Sequence, residues 1–525
     1  MKRVRGALAV VIVLALWQVV GATGLVAGGA LPAPTAIVTS FVQNAGVYPQ
    51  HIWATLQAAA AGFVIGNAVA ILLAVLFVLV PAAERISRIL LVTLFCLPIV
   101  VVAPILGVAF PDEWPKILLA ALAVFFPTMI ATLVGLQQIP SEAVDVVWVS
   151  GGGSIRALVL VRLRAALPDL LAGLQVAAPS AILGAILGEF LGGTRGLGVY
   201  LLGTMGSANA ASLWAIGLTA AALSALGYLL FGVLRRLLGT AVAPSVTDVN
   251  VGADSAMASR RFRGAARFAR AHPVLSSIGW AVGGVAFAYL AWRVFIAATG
   301  LPTIIMNTPE DVWGSLFTSP RSAELRDQLV AALAQSLPPM AVGALAGIVV
   351  AFVLALGFSL YPSVARSVMP FAFLSQTMPI VALTPLIALI FGRGDLTIVI
   401  VTISVTFFPS FVAIVQGISR APQGPVDVLR SVDAGRWRIM FTVILPNALP
   451  YLFASVRLAV PRALTGVVLA EQFVTGTGLG GLLGEARGHL DYRAMWVVAV
   501  VVAVISVVLY ALAHRAERVA EAVLR

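Results

Sequence analysis

The chain has 525 residues, of which 61% are hydrophobic and only 10% charged, whereas a soluble domain carries about 25% charged residues. Its net charge of +12 falls in short basic segments between apolar runs, without the aromatic-laced basic face of a nucleic-acid binder, so no nucleic-acid partner is expected. The single cysteine excludes an intramolecular disulfide and a thiolate metal cluster.

Lys2, Arg3 and Arg5 lead into an apolar stretch over 7–25. A basic start and an apolar core also make a secretory signal, but the run continues to Gly29 with no polar region, and a retained first helix is the preferred reading. Further spans are expected at 52–80, 89–108, 117–136, 170–189 and 211–234. A second set is expected at 277–298, 328–360, 369–391, 396–418, 452–471 and 493–514. Roughly 20 residues cross the hydrocarbon at about 1.5 Å per residue, so the longest stretches must tilt, kink or protrude. Abundant glycine and proline suit a membrane bundle, where small residues let helices approach.

The two sets repeat one another at a spacing of 281 or 282 residues. Thr55, Gly62, Gly66, Pro81 and Pro98 answer Ser336, Gly343, Gly347, Pro362 and Pro379. The FFP triplets end at Pro127 and Pro409, and Leu167-Pro168 answers Leu449-Pro450. GEFLGGTRGLG at 188–198 answers AEQFVTGTGLG at 470–480. Trp17 and Trp292 also hold similar places before LPAP and LPTIIMNTP, which pairs the first apolar stretch with the helix near 277–298. The expected fold is an all-α polytopic membrane protein of two parallel homologous modules with about 12 transmembrane helices. Residues 1–238 form the first module, 239–273 a linker and 274–525 the second module.

Charge supports this topology. A cytoplasmic N-terminus places Arg85, Arg88, Arg156, Arg162, Arg164 and the C-terminal Arg515 and Arg518 on the cytoplasmic side, as the positive-inside rule expects. Asp112, Glu113, Glu310 and Asp311 fall on the other side, along with a few bases such as Lys116, Arg195 and Arg487. Both termini are then cytoplasmic. The linker, with Arg260, Arg261, Arg263, Arg267 and Arg270, reads as a cytoplasmic tether whose arginines rest near anionic lipid head groups.

The segments 141–173 and 421–455 each start with helix-compatible residues, pass a small-residue turn and re-enter an apolar run after a Leu-Pro step. Proline pre-sets φ near a helix start and disrupts a helix interior, so a short helix, a turn and a new membrane helix are expected. Here the chain resembles the permease subunits of binding-protein-dependent ABC importers, in particular the nitrate/sulfonate/taurine branch with its relatives for thiamine-precursor import. That family's cytoplasmic loop has a signature near EAA-x(3)-G followed by Leu-Pro. Asp145, Val146, Val147 and Gly151 fall on its Glu, Ala, Ala and Gly positions in the first half; Asp427, Val428, Leu429 and Asp433 do so in the second. Only Gly151 keeps the glycine, and Arg164 replaces the proline that Pro446 supplies in the second half. The glycine-rich stretches ending in GLG add to the resemblance, which covers most of both halves.

The resemblance implies that these loops dock as coupling helices on separate ATP-hydrolysing subunits, two per chain and identical to one another. It also implies an extracytoplasmic solute-binding protein or lipoprotein and a small solute: an anion, an organosulfonate or a vitamin precursor. Asp145 and Asp427 read as local caps or polar contacts at that interface, or as solvent-facing acids. Gly151 permits a turn, and Asp433 can bond backbone amides in one. Arg436 is a candidate ATPase contact or ordinary cytoplasmic charge.

No GxxxxGK[ST] loop occurs, and Lys2 and Lys116, the only lysines, lie in no glycine-rich context. No cofactor is therefore expected in this chain, and ATP with Mg²⁺ belongs to the partners. His51, His272, His489 and His514 are too dispersed for a metal site, and His51 and His489 read as boundary residues. No nucleophile–base pattern stands out, so no enzyme activity is expected. Glu189 and Glu471, at matched positions where apolar helices meet glycine-rich segments, are candidate pathway or gating acids; pairing or helix-end exposure is the alternative. A secondary transporter is the competing function class and a membrane scaffold a lesser one.

Overall fold

A computed structural model describes residues 2–24, 29–205, 209–238, 273–361 and 379–524. Residues 239–272 of the linker with their five arginines, His272, Pro362 and the first part of the expected 369–391 span lie outside the described residues. Pro273, the last residue of the expected linker, already opens a helix.

The first module runs through α1 (Lys2–Thr23), α2 (Pro34–Gln43), α3 (Tyr48–Leu79), α4 (Pro81–Cys96), α5 (Ile99–Ala109), α6 (Trp114–Gln137) and α7 (Ser141–Val149). It continues with α8 (Ser154–Gly192), α9 (Leu197–Met205) and α10 (Ala210–Leu237). The second contains α11 (Pro273–Thr299), α12 (Pro309–Phe317), α13 (Ser322–Leu360), α14 (Ile380–Phe391), α15 (Asp395–Ser419) and α16 (Gln423–Ser431). It ends with α17 (Arg436–Thr475), α18 (Gly478–Gly488) and α19 (Tyr492–Leu524). Among the described residues, 9 helices are long and apolar enough to cross a bilayer, and the broken pair α4–α5 raises the number to 10.

That broken pair corrects the expectation of one continuous span over 89–108. Leu97 precedes a proline and is held extended at ψ 116°, Pro98 follows at ψ 123°, and the two helices meet at 93°. The residue before proline is driven out of the helical region, and proline has no N–H to continue the ladder. Pro379, at ψ 126°, starts α14 in the same way.

A second correction concerns the fifth spans. They begin at Ser154 and Arg436, well before the Leu-Pro steps, and Pro168 and Pro450 lie inside the helices. Each helix takes one π-helical turn ahead of its proline, at Leu158–Arg162 and Met440–Ile444.

Close helix contact explains the repeated glycines. A Cβ on Gly66 would lie 2.3 Å from the Ala121 carbonyl oxygen, and one on Gly62 2.4 Å from Ala120 Cβ, so α3 lies directly against α6. Gly343 and Gly347 do the same for α13 against α15, where a Cβ would come within 2.6 Å of Thr402 Cβ and 2.1 Å of Thr406 Oγ1. Small residues spaced by four make such backbone approach possible. The first helices also correspond. Trp17 packs on Trp214 at 5.7 Å and donates to the Pro32 carbonyl, while Trp292 stacks on Trp496 at 5.5 Å. The indole N–H groups of Trp214 and Trp496 close the equivalent loops by donating to Ala30 and Ile305 carbonyls.

The core is shared at one end and divided at the other. One continuous cluster joins Val101, Leu119, Ile186 and Leu197 of the first module to Val381, Ile398, Val467 and Leu479 of the second. Phe190 meets Phe473 across it at 4.6 Å, and Arg487 donates to the Leu191 carbonyl. Toward α7 and α16 the modules have separate small cores, Phe77–Met129–Leu136 in one and Ala355–Phe411–Ile414 in the other.

Candidate functional site

The two loop elements fold alike. Pro140 and Pro422 stand just before α7 and α16, and each helix ends in a left-handed residue, Gly151 at φ +77° and Asp433 at φ +55°. Gly152 N–H donates to the Val147 carbonyl at 2.8 Å and Gly151 N–H to Trp148 at 3.1 Å. Ala434 N–H donates to Leu429 at 2.9 Å and Asp433 N–H to Arg430 at 3.0 Å. These are matched Schellman closures, in which backbone amides satisfy the last carbonyls of the helix.

The turn geometry agrees with the expectation for Gly151; at Asp433 the mechanism differs. The backbone closes that turn, and among the described residues the Asp433 carboxylate has no hydrogen-bond partner. A non-glycine residue in the left-handed region costs about 1–2 kcal/mol. Gly151→Val is therefore expected to lower stability by about that much, and Asp433→Gly to leave it unchanged or raise it, as detergent unfolding curves can show.

Asp145 and Asp427 are not caps. Each is the fifth residue of its short helix and exposed, and Asp427 pairs at 3.2 Å with exposed Arg430, a contact of little energetic weight. Arg436 is exposed at the start of α17. Exposed apolar residues recur at matched positions, beside exposed Gln423, Arg430 and Ser431 on α16: Val146 and Val428 are 65% and 64% exposed, and Ile155 and Trp437 are exposed beyond the turns. Trp437 stacks on Phe441, also exposed.

At the opposite ends of α8 and α17, Glu189 (1% exposed) and Glu471 (0% exposed) face protein. Glu189 Oε2 accepts from Gly198 N–H at 2.8 Å, Leu197 N–H donates to Thr55 Oγ1 at 2.9 Å, and Gly196 N–H donates to His51 Nδ1 at 3.1 Å. Glu471 Oε2 accepts from Gly480 N–H at 2.9 Å and its Oε1 accepts from Ser336 Oγ at 2.6 Å. Leu479 and Gly478 N–H groups donate to Ser336 Oγ and Gln335 Oε1, both at 2.9 Å. Each acid thus holds unpaired first-turn amides of α9 or α18, where helix polarity favours negative charge. A Cβ on Gly196 would lie 2.0 Å from the Glu189 carboxyl carbon, and one on Gly478 2.1 Å from Glu471 Oε1. The GLG endings are therefore steric complements of the two acids. Thr55, Ser336 and His51 are the partners that sequence reading does not assign, although Thr55 and Ser336 open the repeat.

Between the modules lies a cavity of about 610 Å³. It runs from Glu84, Gln137 and Asp169, at the loop ends of α4, α6 and α8, to Leu187 and Leu469 near the shared core. Neither Glu189 nor Glu471 lines it. Arg457, Arg462, Tyr451 and Tyr510 do. Arg457 is buried with its Nε 3.1 Å from Glu517 Oε2, its guanidinium is 5.8 Å from the Tyr510 ring, and His514 Nδ1 lies 3.1 Å from the same Glu517 oxygen. The available signal for this cluster is two arginines inside the expected 452–471 span, since an intramembrane charge marks a cavity or a pathway.

Two membrane modules joined along one core, with matched loop elements and a cavity between them, define a two-module transport permease. Residues 66–246 and 343–520 match the family of binding-protein-dependent transport system inner membrane components, and the chain belongs to that family. It is 38% identical over 154 residues to the riboflavin transport system permease protein RibX of Chloroflexus aurantiacus, which covers 29% of this chain and 57% of RibX. It is 30% identical over 201 residues to the aliphatic sulfonates transport permease protein SsuC of Bacillus subtilis, covering 38% of this chain and 73% of SsuC. It is 29% identical over 209 residues to the formylaminopyrimidine transport permease protein ThiX of Halalkalibacterium halodurans, covering 39% of this chain and 82% of ThiX. The chain is a component of a transport system; among the described residues no group of three or more potential metal ligands occurs.

Proposed function

We propose that this chain forms the whole membrane pathway of an ATP-driven importer for a small solute, with two parallel six-span modules replacing two separate permease subunits. Counting α1, the broken α4–α5 pair and α14 with the residues before it as one span each brings the total to twelve. The observation that carries the reading is the divided core: the modules share one cluster at one end and keep separate small cores beside the cavity toward α7 and α16, where α4 still crosses to α11 through Arg85 and Trp280. The loop elements dock on two identical ATPase subunits, which supply ATP and Mg²⁺, and an external binding protein or lipoprotein delivers the solute at the fused end. The N- and C-termini and the 239–273 linker are cytoplasmic, in keeping with their basic residues.

In this reading Val146, Val428, Ile155 and Trp437 supply the apolar contact with the ATPases, while Asp145, Asp427 and Arg436 lie at its polar rim. Glu189 and Glu471 act in gating by fixing α9 and α18, without touching the solute. The relatives' names span sulfonates, riboflavin and formylaminopyrimidine, and the solute belongs to that range of anions, organosulfonates and vitamin precursors.

Mild crosslinking in native membranes, followed by purification, is expected to recover two ATPase copies per chain. Active uptake by the chain alone, driven by an ion gradient, would replace this reading with a secondary transporter. Combined Val146→Asp and Val428→Asp is expected to cut solute-stimulated ATP hydrolysis at least tenfold or so, because charge placed in an apolar contact is left unpaired, without loss of membrane insertion. Full ATP-driven flux in the double variant would sink the assignment of the loops.

A further inference from the structure

The cavity is chemically lopsided. Arg457 and Arg462 lie on α17 of the second module, and the repeat puts Gln175 and Ser180 at their places on α8 of the first. The two arginines are not equivalent. Arg457 is already neutralised by Glu517 at 3.1 Å. Arg462 is exposed, lines the cavity, and among the described residues has no hydrogen-bond or ion-pair partner. The other charged groups lining the cavity are Glu84, Arg88 and Asp169, and they sit toward the loop end. Glu84 is held there 3.5 Å from Gln137 Nε2, and neither acid forms an ion pair with Arg462.

A guanidinium inside a membrane bundle is costly unless water or a counter-charge meets it. Arg462 lines the cavity, whose wall is otherwise largely apolar and aromatic: it includes Phe95 and Phe126, stacked at 4.3 Å, with Leu183 and Ile380. Five N–H donors and no acceptor suit an oxyanion and reject a cation.

We propose that the cavity takes a solute with one negatively charged oxyacid group (carboxylate, sulfonate or phosphate) on an apolar or aromatic body, the anionic oxygens on Arg462 and the body against Phe95 and Phe126. The inference rests on the importer reading for its biological meaning, but the binding site belongs to this chain alone. One cationic wall matters. Two symmetric arginines would repel each other when the cavity is empty and favour doubly charged solutes, whereas the diverged Ser180 leaves a single anchoring charge.

The test uses the full chain in lipid nanodiscs, with Cys96→Ala removing the one native thiol and Ser180→Cys placing a thiol in the cavity wall. Its alkylation rate is measured with sulfonatoethyl methanethiosulfonate, an anion, and methyl methanethiosulfonate, which is neutral. Arg462→Gln is expected to lower the anionic-to-neutral rate ratio about tenfold, through loss of a nearby positive charge, whereas Arg462→Lys keeps most of it. The neutral reagent's rate reports that the cavity is intact in each variant.

Benzenesulfonate is expected to protect the thiol in the parent chain and lose that effect in Arg462→Gln; uncharged benzenesulfonamide protects weakly in both. An unchanged rate ratio on Arg462→Gln, or equal protection by the two aryl probes, overturns the proposal. Neither ATPase nor binding protein is present, so such a failure leaves the importer reading standing, and failure to recover ATPase partners leaves the anion result standing.

Discussion

Replacing Gly478 by alanine is expected to destabilise the chain by about 3 kcal/mol or more, the combined effect of a left-handed backbone and overpacking. Gly478 has φ +63°, and an added Cβ would lie 2.1 Å from Glu471 Oε1 and 2.5 Å from Ser336 Oγ. The methyl group must therefore push the carboxylate off its amide or lift the start of α18. Either movement leaves buried polar groups unpaired, at about 1–3 kcal/mol each. Gly196→Ala should behave likewise, since its Cβ would fall on the Glu189 carboxyl group at φ +135°. Gly484→Ala is the matched control: it lies in α18 with open space around it and should be neutral or stabilising by up to about 1 kcal/mol through helix propensity. Unfolding in mixed micelles with rising SDS separates the three. Equal midpoints for Gly478→Ala and Gly484→Ala would mean that the acid does not depend on the glycine.

The second large effect is expected at Glu517. Removing it by Glu517→Ala leaves Arg457, buried beside the cavity, without its carboxylate, and breaking one partner of a buried pair costs about 3–5 kcal/mol. The loss should be near the lower end, because Arg457 borders the cavity and its guanidinium lies 5.8 Å from the Tyr510 ring. Replacing both members, Arg457→Met with Glu517→Leu, should cost less than the single change, since no orphaned charge remains. A double variant no more stable than Glu517→Ala would show that the pair matters through packing instead of charge.

The repeat is legible because its markers are steric. Gly62, Gly66, Gly343 and Gly347 recur where backbones touch, and Gly196 and Gly478 where a carboxylate fills the Cβ position. Trp17 and Trp292 betray the equivalence of the first helices for the same reason, each packing on a tryptophan of the last span of its module. Other features are hidden by local ambiguity. The apolar stretch around Pro98 has the length of a span, and only the extended Leu97 reveals that it turns a corner. The short helices α2 and α12 fall below the length that hydropathy detects, although Thr308 and Asp311 form a capping box at the start of α12. Leu-Pro looks like the start of a helix at Pro168, yet preceding turns already hold that helix in place. At the candidate site, acids at helix ends draw attention before arginines within a span, because the partners that distinguish Arg457 from Arg462 lie far away in sequence.

The fused end and the long fifth helices together make a lever. α8 has 39 residues and α17 has 40, so each is about 60 Å long at 1.5 Å per residue. A rotation of only about 10° about the shared core would carry the loop end of either helix through about 10 Å on that length. Displacements of α7 and α16 by such a rotation would need little repacking near Phe190 and Phe473, which lie close to the pivot.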